Sequence, residues 1–146
     1  MSSSQQSSAR SVPKVFRTLP SARAVIDRVE AASRKLGLVD QGVLVAASGG
    51  ADSTALLIAM AALSNRLSSR VEVASLDHGL RRASAKDVER VRGLARSLGL
   101  PFHTCKLRLG GGAGIEERAR IARYAALEAL RVERGQIGRA SCRERV

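Results

Sequence analysis

The sequence predicts an α/β protein built on a parallel β-sheet with helices on its faces. Three short apolar segments that suit buried strands, at residues 43–47, 71–76 and 101–107, are separated by amphipathic segments of ten or more residues. Strands that alternate with helices of this length form βαβ units with right-handed crossovers. Ligands bind such open sheets beyond the carboxyl ends of the strands, so the residues that follow each strand are the first candidates for a site.

The first half of the domain predicts a helix, a strand and a second helix. From Ser21 to Gly37 apolar residues recur every three or four positions, which is typical of an amphipathic helix, and a glycine ends the pattern. The apolar run 43–47 predicts the first strand. After a short turn, an Ala- and Leu-rich segment that ends at Leu63 predicts the second helix.

The second half repeats this alternation. Residues 71–76 predict a strand, and Ser84 with Asp87 predicts a capping box at the start of a helix that ends at Gly99. In the third predicted strand, residues 101–107, His103 and Cys105 share one face, and strand packing explains them better than a metal site. After the flexible glycine run 110–114, residues 115–132 predict a long basic helix.

Composition divides the chain into three regions: a basic, disordered N-terminal tail at 1–20, one partial domain at 21–135, and a tail without apolar periodicity at 136–146. The tails carry +3 and +2 of the formal charge of +12, which leaves +7 on the domain. That excess suits a polyanionic partner such as RNA, although many soluble proteins are equally basic and bind none.

Cysteine usage and hydropathy limit the class of protein. The two cysteines, Cys105 and Cys142, lie far apart without a C-x-x-C pair, which argues against a zinc site, an iron–sulfur site or a disulfide framework. The chain contains neither a secretory signal nor an apolar run of 18 residues. We therefore expect a cytoplasmic protein that does not bind a membrane.

The segment Ser48-Gly49-Gly50-Ala51-Asp52-Ser53 lies between the first strand and the second helix. Its glycines let the main chain approach a ligand, and its hydroxyls can donate to phosphate oxygens. The unpaired amides and the dipole of the helix start favour a bound anion by roughly 0.3–1 kcal/mol at exposed sites. Neither G-x-x-x-x-G-K-[ST] nor G-x-G-x-x-G is present, so this turn predicts a different type of phosphate loop.

The S-G-G-x-D-S motif resembles the loop of the PP-loop ATP pyrophosphatases, which split ATP between its α- and β-phosphates. Three further blocks, at residues 76–81, 98–102 and 115–124, are similar in order and spacing to the N-terminal domain of the tRNA(Ile)-lysidine synthetase family. The resemblance covers about residues 22–134. It implies an adenine nucleotide alpha hydrolase-like fold, which is a Rossmann-like arrangement of three layers, incomplete at its C-terminus.

The resemblance implies a ligase that uses ATP and Mg²⁺ to adenylate the wobble cytidine (C34) of tRNA-Ile, after which free L-lysine displaces AMP and forms lysidine. Residues 48–53 are then expected to bind the phosphates of ATP. Asp52 is expected to be catalytic, and either to hold Mg²⁺ or to fix the loop by accepting backbone amides.

The resemblance also suggests roles for residues outside this loop. Asp77 and His78 are expected to line the nucleotide pocket, and Arg118 and Arg123 to contact tRNA. A turn histidine and ordinary surface arginines are the alternative interpretations of His78 and of the two arginines.

The sequence departs from the family pattern after residue 135. The family continues into another strand, an H-H-x-x-D-Q segment and tRNA-binding domains, whereas residues 136–146 resemble translated sequencing-adapter DNA. We therefore expect a truncated chain with an open sheet edge, marginal stability, weak ATP binding and no lysidine formation. A thiolating or amidating PP-loop enzyme and a non-catalytic adenine-nucleotide-binding module remain as alternative functions.

Overall fold

The structure is a computed structural model that describes residue 12 and residues 18–77, 82–107, 112–135 and 138–141. Helices and strands alternate along these ranges. In chain order they are α1 (Pro20–Lys35), β1 (Gly42–Ala46), α2 (Ala51–Leu63), β2 (Arg70–Asp77), α3 (Arg82–Leu98), β3 (Phe102–Lys106), α4 (Ile115–Glu133) and β4 (Gly138–Ser141). Within the described residues, no helix is both long enough and apolar enough to span a membrane.

The strands form one sheet in the order β3-β2-β1-β4, and every pairing is parallel. The predicted parallel α/β fold is therefore confirmed. The chain first moves outward from β1 to β2 and β3, and then returns to the other side of β1 as β4. Right-handed crossovers consequently place α2 and α3 on one face of the sheet and α4 on the other.

Side chains of the two central strands point alternately to the two faces of the sheet and contribute to a core on each face. Val43, Val45, Val71 and Val73 are buried in one cluster that includes residues from α1, α2 and α3. On the opposite face, a second cluster is formed by Leu44, Ala74, Leu127 and Leu130. Full burial of each large apolar side chain contributes roughly 1.5–3 kcal/mol, so the central pair of strands is held from both sides.

The fourth strand was not predicted from the sequence. Residues 138–141 pair with β1 from Val43 to Ala46, so β1 has a partner strand on this side as well. A parallel ladder is made by main-chain groups and needs no apolar alternation, which is why the residue pattern gave no signal. The edges of the sheet are β3 and β4.

The beginning of α3 also differs from the prediction. This helix begins at Arg82, so Ser84 lies inside it rather than at its N-cap, and the predicted capping box is wrong. The other predicted helices and strands agree with the structure to within about two residues at each end.

Candidate functional site

The glycine-containing turn lies where the order of the sheet reverses. The turn follows the carboxyl end of β1 and leads into α2. Within the sheet, β1 lies between β2 and β4. In doubly wound sheets, the crevice at this reversal is where ligands bind. We refer to residues 48–53 as the phosphate loop.

Hydroxyl groups fix the shape of the phosphate loop from within. The hydroxyl of Ser53 accepts a hydrogen bond from the amide of Ser48 at 3.2 Å and lies 3.2 Å from both the Ser48 hydroxyl and the Gly50 carbonyl. Ser53 is only 1% exposed. In this conformation its hydroxyl bonds within the loop, so we assign it a supporting role and leave its predicted phosphate contact as a proposal.

Gly49 requires the absence of a side chain for two reasons. Its φ is +89°, in the region that favours glycine. A Cβ there would also lie 3.1 Å from the Cβ of Asp87 and 3.3 Å from its carbonyl oxygen. The phosphate loop therefore packs directly on the main chain of α3, a contact that the sequence analysis did not identify.

The remaining groups of the loop are open to solvent. Ser48, Gly50, Ala51 and Asp52 are exposed, and α2 begins after Gly50 without a side-chain cap. The amides of its first turn therefore have neither a side-chain acceptor from the cap nor an intrahelical acceptor. Together with the helix dipole, they form a positive surface that a phosphate group can reach.

Asp77 lies at the carboxyl ends of the strands, as the phosphate loop does. It is the last residue of β2, three positions beyond Ala74, which pairs with Ala46 of β1. Its side chain is partly buried, and its carbonyl accepts the amide of Leu107 at 2.8 Å. The predicted neighbour His78 lies outside the described residues.

The two arginines predicted to contact tRNA lie on different sides of α4. Five residues separate Arg118 from Arg123, which corresponds to about 140° around a helix axis. Arg118 is exposed, and its guanidinium is 3.9 Å from the position that a Cβ of Gly112 would take. Arg123 is partly buried and packs 5.4 Å from the ring of Tyr124.

A buried carboxylate anchors the other end of α4. Glu72, which is 2% exposed in the middle of β2, accepts two hydrogen bonds from Arg134, at 2.9 and 3.1 Å, and lies 3.2 Å from Nε2 of His103. The hydrogen bonds that Arg134 donates to the Glu72 carboxylate raise the pKa of Arg134 above its usual value. The signal in the sequence for this contact is an acid between two valines of a buried strand.

The donor set at the phosphate loop fits Mg²⁺ bound together with a nucleotide. Within the described ranges, no three His, Cys, Asp or Glu side chains form a group that could hold a metal ion by themselves. Mg²⁺ commonly takes only one or two carboxylates and completes its shell with phosphate oxygens and water. Asp52, exposed in the first turn of α2, is such a carboxylate.

Comparison with protein families identifies the domain. The family model of the PP-loop domain matches residues 22–137. This range contains the phosphate loop, Asp77 and the whole of α4.

Three curated relatives of this chain are tRNA(Ile)-lysidine synthases. The chain is 47% identical over 88 residues to a tRNA(Ile)-lysidine synthase from Novosphingobium aromaticivorans, which covers 60% of this chain and 26% of that protein. It is 46% identical over 87 residues to the synthase from Thermobifida fusca, or 59% of this chain and 27% of the relative. The match to the Bordetella parapertussis synthase is 38% over 109 residues, 73% of this chain and 31% of the relative. The chain thus spans between a quarter and a third of the length of these relatives.

A solved structure shares the fold. A U34-tRNA thiolase from Methanococcus maripaludis, solved with its [4Fe-4S] cluster, has a TM-score of 0.68 with 14% sequence identity. The likeness covers 88% of this chain and 46% of the thiolase chain. It supports the three-layer fold described above.

Proposed function

The chain belongs to the PP-loop family, and we propose that it provides the ATP-binding part of a tRNA(Ile)-lysidine synthetase. The proposed substrates are ATP, tRNA-Ile and free L-lysine, and the proposed compartment is the cytoplasm. The observation that carries this proposal is the exposed phosphate loop at the reversal point of the sheet, in a chain 38–47% identical to the synthases compared above.

The proposed reaction has two steps. In the first, the C2 oxygen of the wobble cytidine attacks the α-phosphorus of ATP, and the bond to the β-phosphate breaks to release pyrophosphate. In the second, the amine of lysine attacks C2, AMP leaves with that oxygen, and the amine loses a proton. Negative charge therefore develops on phosphate oxygens in both steps.

The phosphate loop suits the first step because its donors are arranged before the ligand arrives. The hydrogen bonds of Ser53 hold the turn, and the amides of Ala51 and Asp52, which are exposed residues of the first helical turn, provide fixed positive dipoles. Preorganised donors of this kind stabilise developing charge without reorganising during the reaction. A bound Mg²⁺ would neutralise phosphate charge, and Asp52 is the residue proposed to hold it.

The proposal is tested by nucleotide binding to the chain and to two of its variants. We expect the Ser48→Ala and Asp52→Ala variants to bind ATP at least several-fold more weakly than the wild-type chain in the presence of Mg²⁺. A control is Ser97→Ala, because the Ser97 hydroxyl donates to the Leu94 carbonyl at 2.8 Å on the last turns of α3, outside the phosphate loop. Unchanged ATP affinity in both loop variants would contradict the assignment of the loop.

Substrate class is tested by exchange of labelled pyrophosphate into ATP. For a lysidine synthetase, exchange is expected to increase when tRNA-Ile is added. Exchange that depends on a sulfur donor or a small acid would instead identify a thiolating or amidating enzyme. ATP binding without exchange in a full-length relative would favour the non-catalytic module.

A further inference from the structure

Arg123 lies on the face of α4 that packs against the sheet. The buried residues of this helix are Ala119, Leu127 and Leu130, which stand four positions before, four after and seven after Arg123. Positions with this spacing share one side of a helix. Leu127 and Leu130 pack on Leu44 and Ala74, so Arg123 continues the same stripe by one turn.

The height of Arg123 along the sheet follows from the anchor at Arg134. The helix runs antiparallel to the strands, because it connects the carboxyl end of β3 to the start of the parallel strand β4. Arg123 precedes Arg134 by eleven residues, or about 16 Å of helix. At about 3.3 Å per residue, the same rise along β2 leads from Glu72, the partner of Arg134, to Asp77.

The register between β1 and β2 relates the height of Arg123 along the sheet to the phosphate loop as well. Glu72 pairs with Leu44, so the same rise passes the end of β1 at Ala46 and leads into the region of the phosphate loop that follows. Arg123 is therefore level with the phosphate loop and approaches the reversal point from the face opposite to α2 and α3. Its Cα–Cβ bond is tilted toward the start of α4, and this end of the helix lies near the carboxyl ends of the strands.

The guanidinium of Arg123 is incompletely satisfied. Its Nε is buried and has no hydrogen-bond partner in the structure of the described residues. Arginine remains charged in proteins, and burial of a charge without a partner is costly. A planar guanidinium matches the geometry of phosphate oxygens and can bind two of them.

We infer that Arg123 binds a phosphate group of the adenine nucleotide, rather than the backbone of tRNA. This inference rests on the proposed function of the phosphate loop. The nucleotide then lies between the amides of α2 on one side and the guanidinium of Arg123 on the other.

Arg120 provides a matched control on the same helix. Its guanidinium lies 5.6 Å from the same Tyr124 ring, but the residue is exposed and pairs with Glu117 at 3.4 Å. Arg120→Gln and Arg123→Gln therefore remove the same charge beside the same ring. Only the second change removes a group from the stripe that faces the sheet.

The test compares the affinities of wild-type chain, Arg120→Gln and Arg123→Gln for ATP, AMP and adenosine. We expect Arg123→Gln to weaken binding of at least one phosphorylated ligand about tenfold or more and to leave adenosine within about twofold. Arg120→Gln is expected to match the wild type for all three ligands. Equal losses for adenosine, or ATP and AMP affinities that do not change in Arg123→Gln, would overturn the inference.

A stability measurement separates ligand binding from a structural role. Arg123→Met keeps much of the volume and removes the buried charge, so its Tm without nucleotide is expected to equal or exceed that of the wild type. A lower Tm would show that Arg123 supports the fold and would overturn the inference. If the wild-type chain bound none of the ligands, the proposed function would fail as well, whereas an unaffected Arg123→Gln variant would leave that function intact.

Discussion

At the residue scale, Gly49 is a position where both the main-chain conformation and the packing oppose a substitution. Its φ of +89° and its contact with Asp87 both exclude a side chain. Gly50, one position later, has a φ of −75°, and a Cβ there would lie 3.6 Å from its nearest neighbour, the Ser48 hydroxyl. The two adjacent glycines of the motif therefore differ, because the structure excludes a side chain at Gly49 and leaves room for a Cβ at Gly50.

We expect Gly49→Ala to lower both ATP affinity and the free energy of unfolding, the latter by roughly 1–3 kcal/mol, because the alanine is strained and displaces either the loop or α3. Gly50→Ala is the control and is expected to keep the wild-type unfolding midpoint in urea. Equal stability of the two variants would show that the contact with Asp87 is not maintained in solution.

Motif recognition located the residues of the loop but not all of their roles. The order of small residues after a strand was enough to predict an anion site at residues 48–53. The inward hydrogen bonds of Ser53 and the contact of Gly49 with Asp87 depend on the folded path of the chain. Asp87 lies 38 positions after Gly49, and no local pattern connects residues at that separation.

At the element scale, α4 is attached to the sheet by apolar packing and by the ion pair between Arg134 and Glu72. Glu72 is 2% exposed, while the side chain of Arg134 is 43% exposed. Periodicity predicted this helix to within two residues, since its apolar stripe is regular. Its anchor was not predicted, because partners 62 positions apart leave no periodic signal.

We expect Arg134→Gln to lower the free energy of unfolding, because it removes the two hydrogen bonds that Arg134 donates to a buried carboxylate. The loss is expected to be smaller than for a fully buried pair, because the Arg134 side chain is partly screened by solvent. Arg131→Gln, which removes a pair with the more exposed acid Glu128, is expected to lower the free energy of unfolding by less. Urea denaturation of the two variants measures the difference, and equal losses would contradict the anchoring role.

Helix α1 is tied to the turn after α2 by an acid-sensitive contact. Glu30 accepts hydrogen bonds from Arg66 at 2.6 Å and from Arg34 at 3.1 Å. The hydrogen bond from Arg66, with a smaller one from Arg34, holds the pKa of Glu30 below its usual value of 4.5. A carboxylate with a lowered pKa in the folded state stabilises the fold above its usual pKa, and this contribution is lost as the pH falls through the lowered value.

We therefore expect wild-type chain to have a higher Tm than Glu30→Gln at pH 7, and the difference to disappear progressively below pH 4.5. Glu117→Gln serves as the control for loss of an exposed ion pair, since both partners there are more than 60% exposed. A difference between wild type and Glu30→Gln that stayed constant from pH 7 to pH 3 would show that the effect is not electrostatic.

At the scale of the whole molecule, the position of β4 creates the reversal point that holds the site. The sequence predicted the parallel sheet and its crossovers from alternating strands and helices. It did not predict the strand order, because order depends on which edge of β1 the last strand joins. That choice leaves the end of β1 between helices on opposite faces, where the phosphate loop and Arg123 can approach one ligand.

Pairing with β4 also protects the central strand. Removal of residues 136–146 would leave the main-chain groups of β1 from Val43 to Ala46 without their partners on that edge. Unpaired edges lose hydrogen bonds and favour association with other chains. We therefore expect the shortened chain to be less stable by on the order of 2–4 kcal/mol and to associate at lower concentration.

Thermal unfolding and light scattering measure both effects, and a shuffled strand identifies their cause. A chain in which the four residues of β4 are reordered keeps its composition and its amides, so main-chain pairing with β1 is retained. Its Tm is expected to stay close to that of the wild type, whereas the shortened chain unfolds earlier and scatters more light. If shuffling were as damaging as removal, specific side chains rather than the ladder would hold β4, because the order of residues is the only property that shuffling changes.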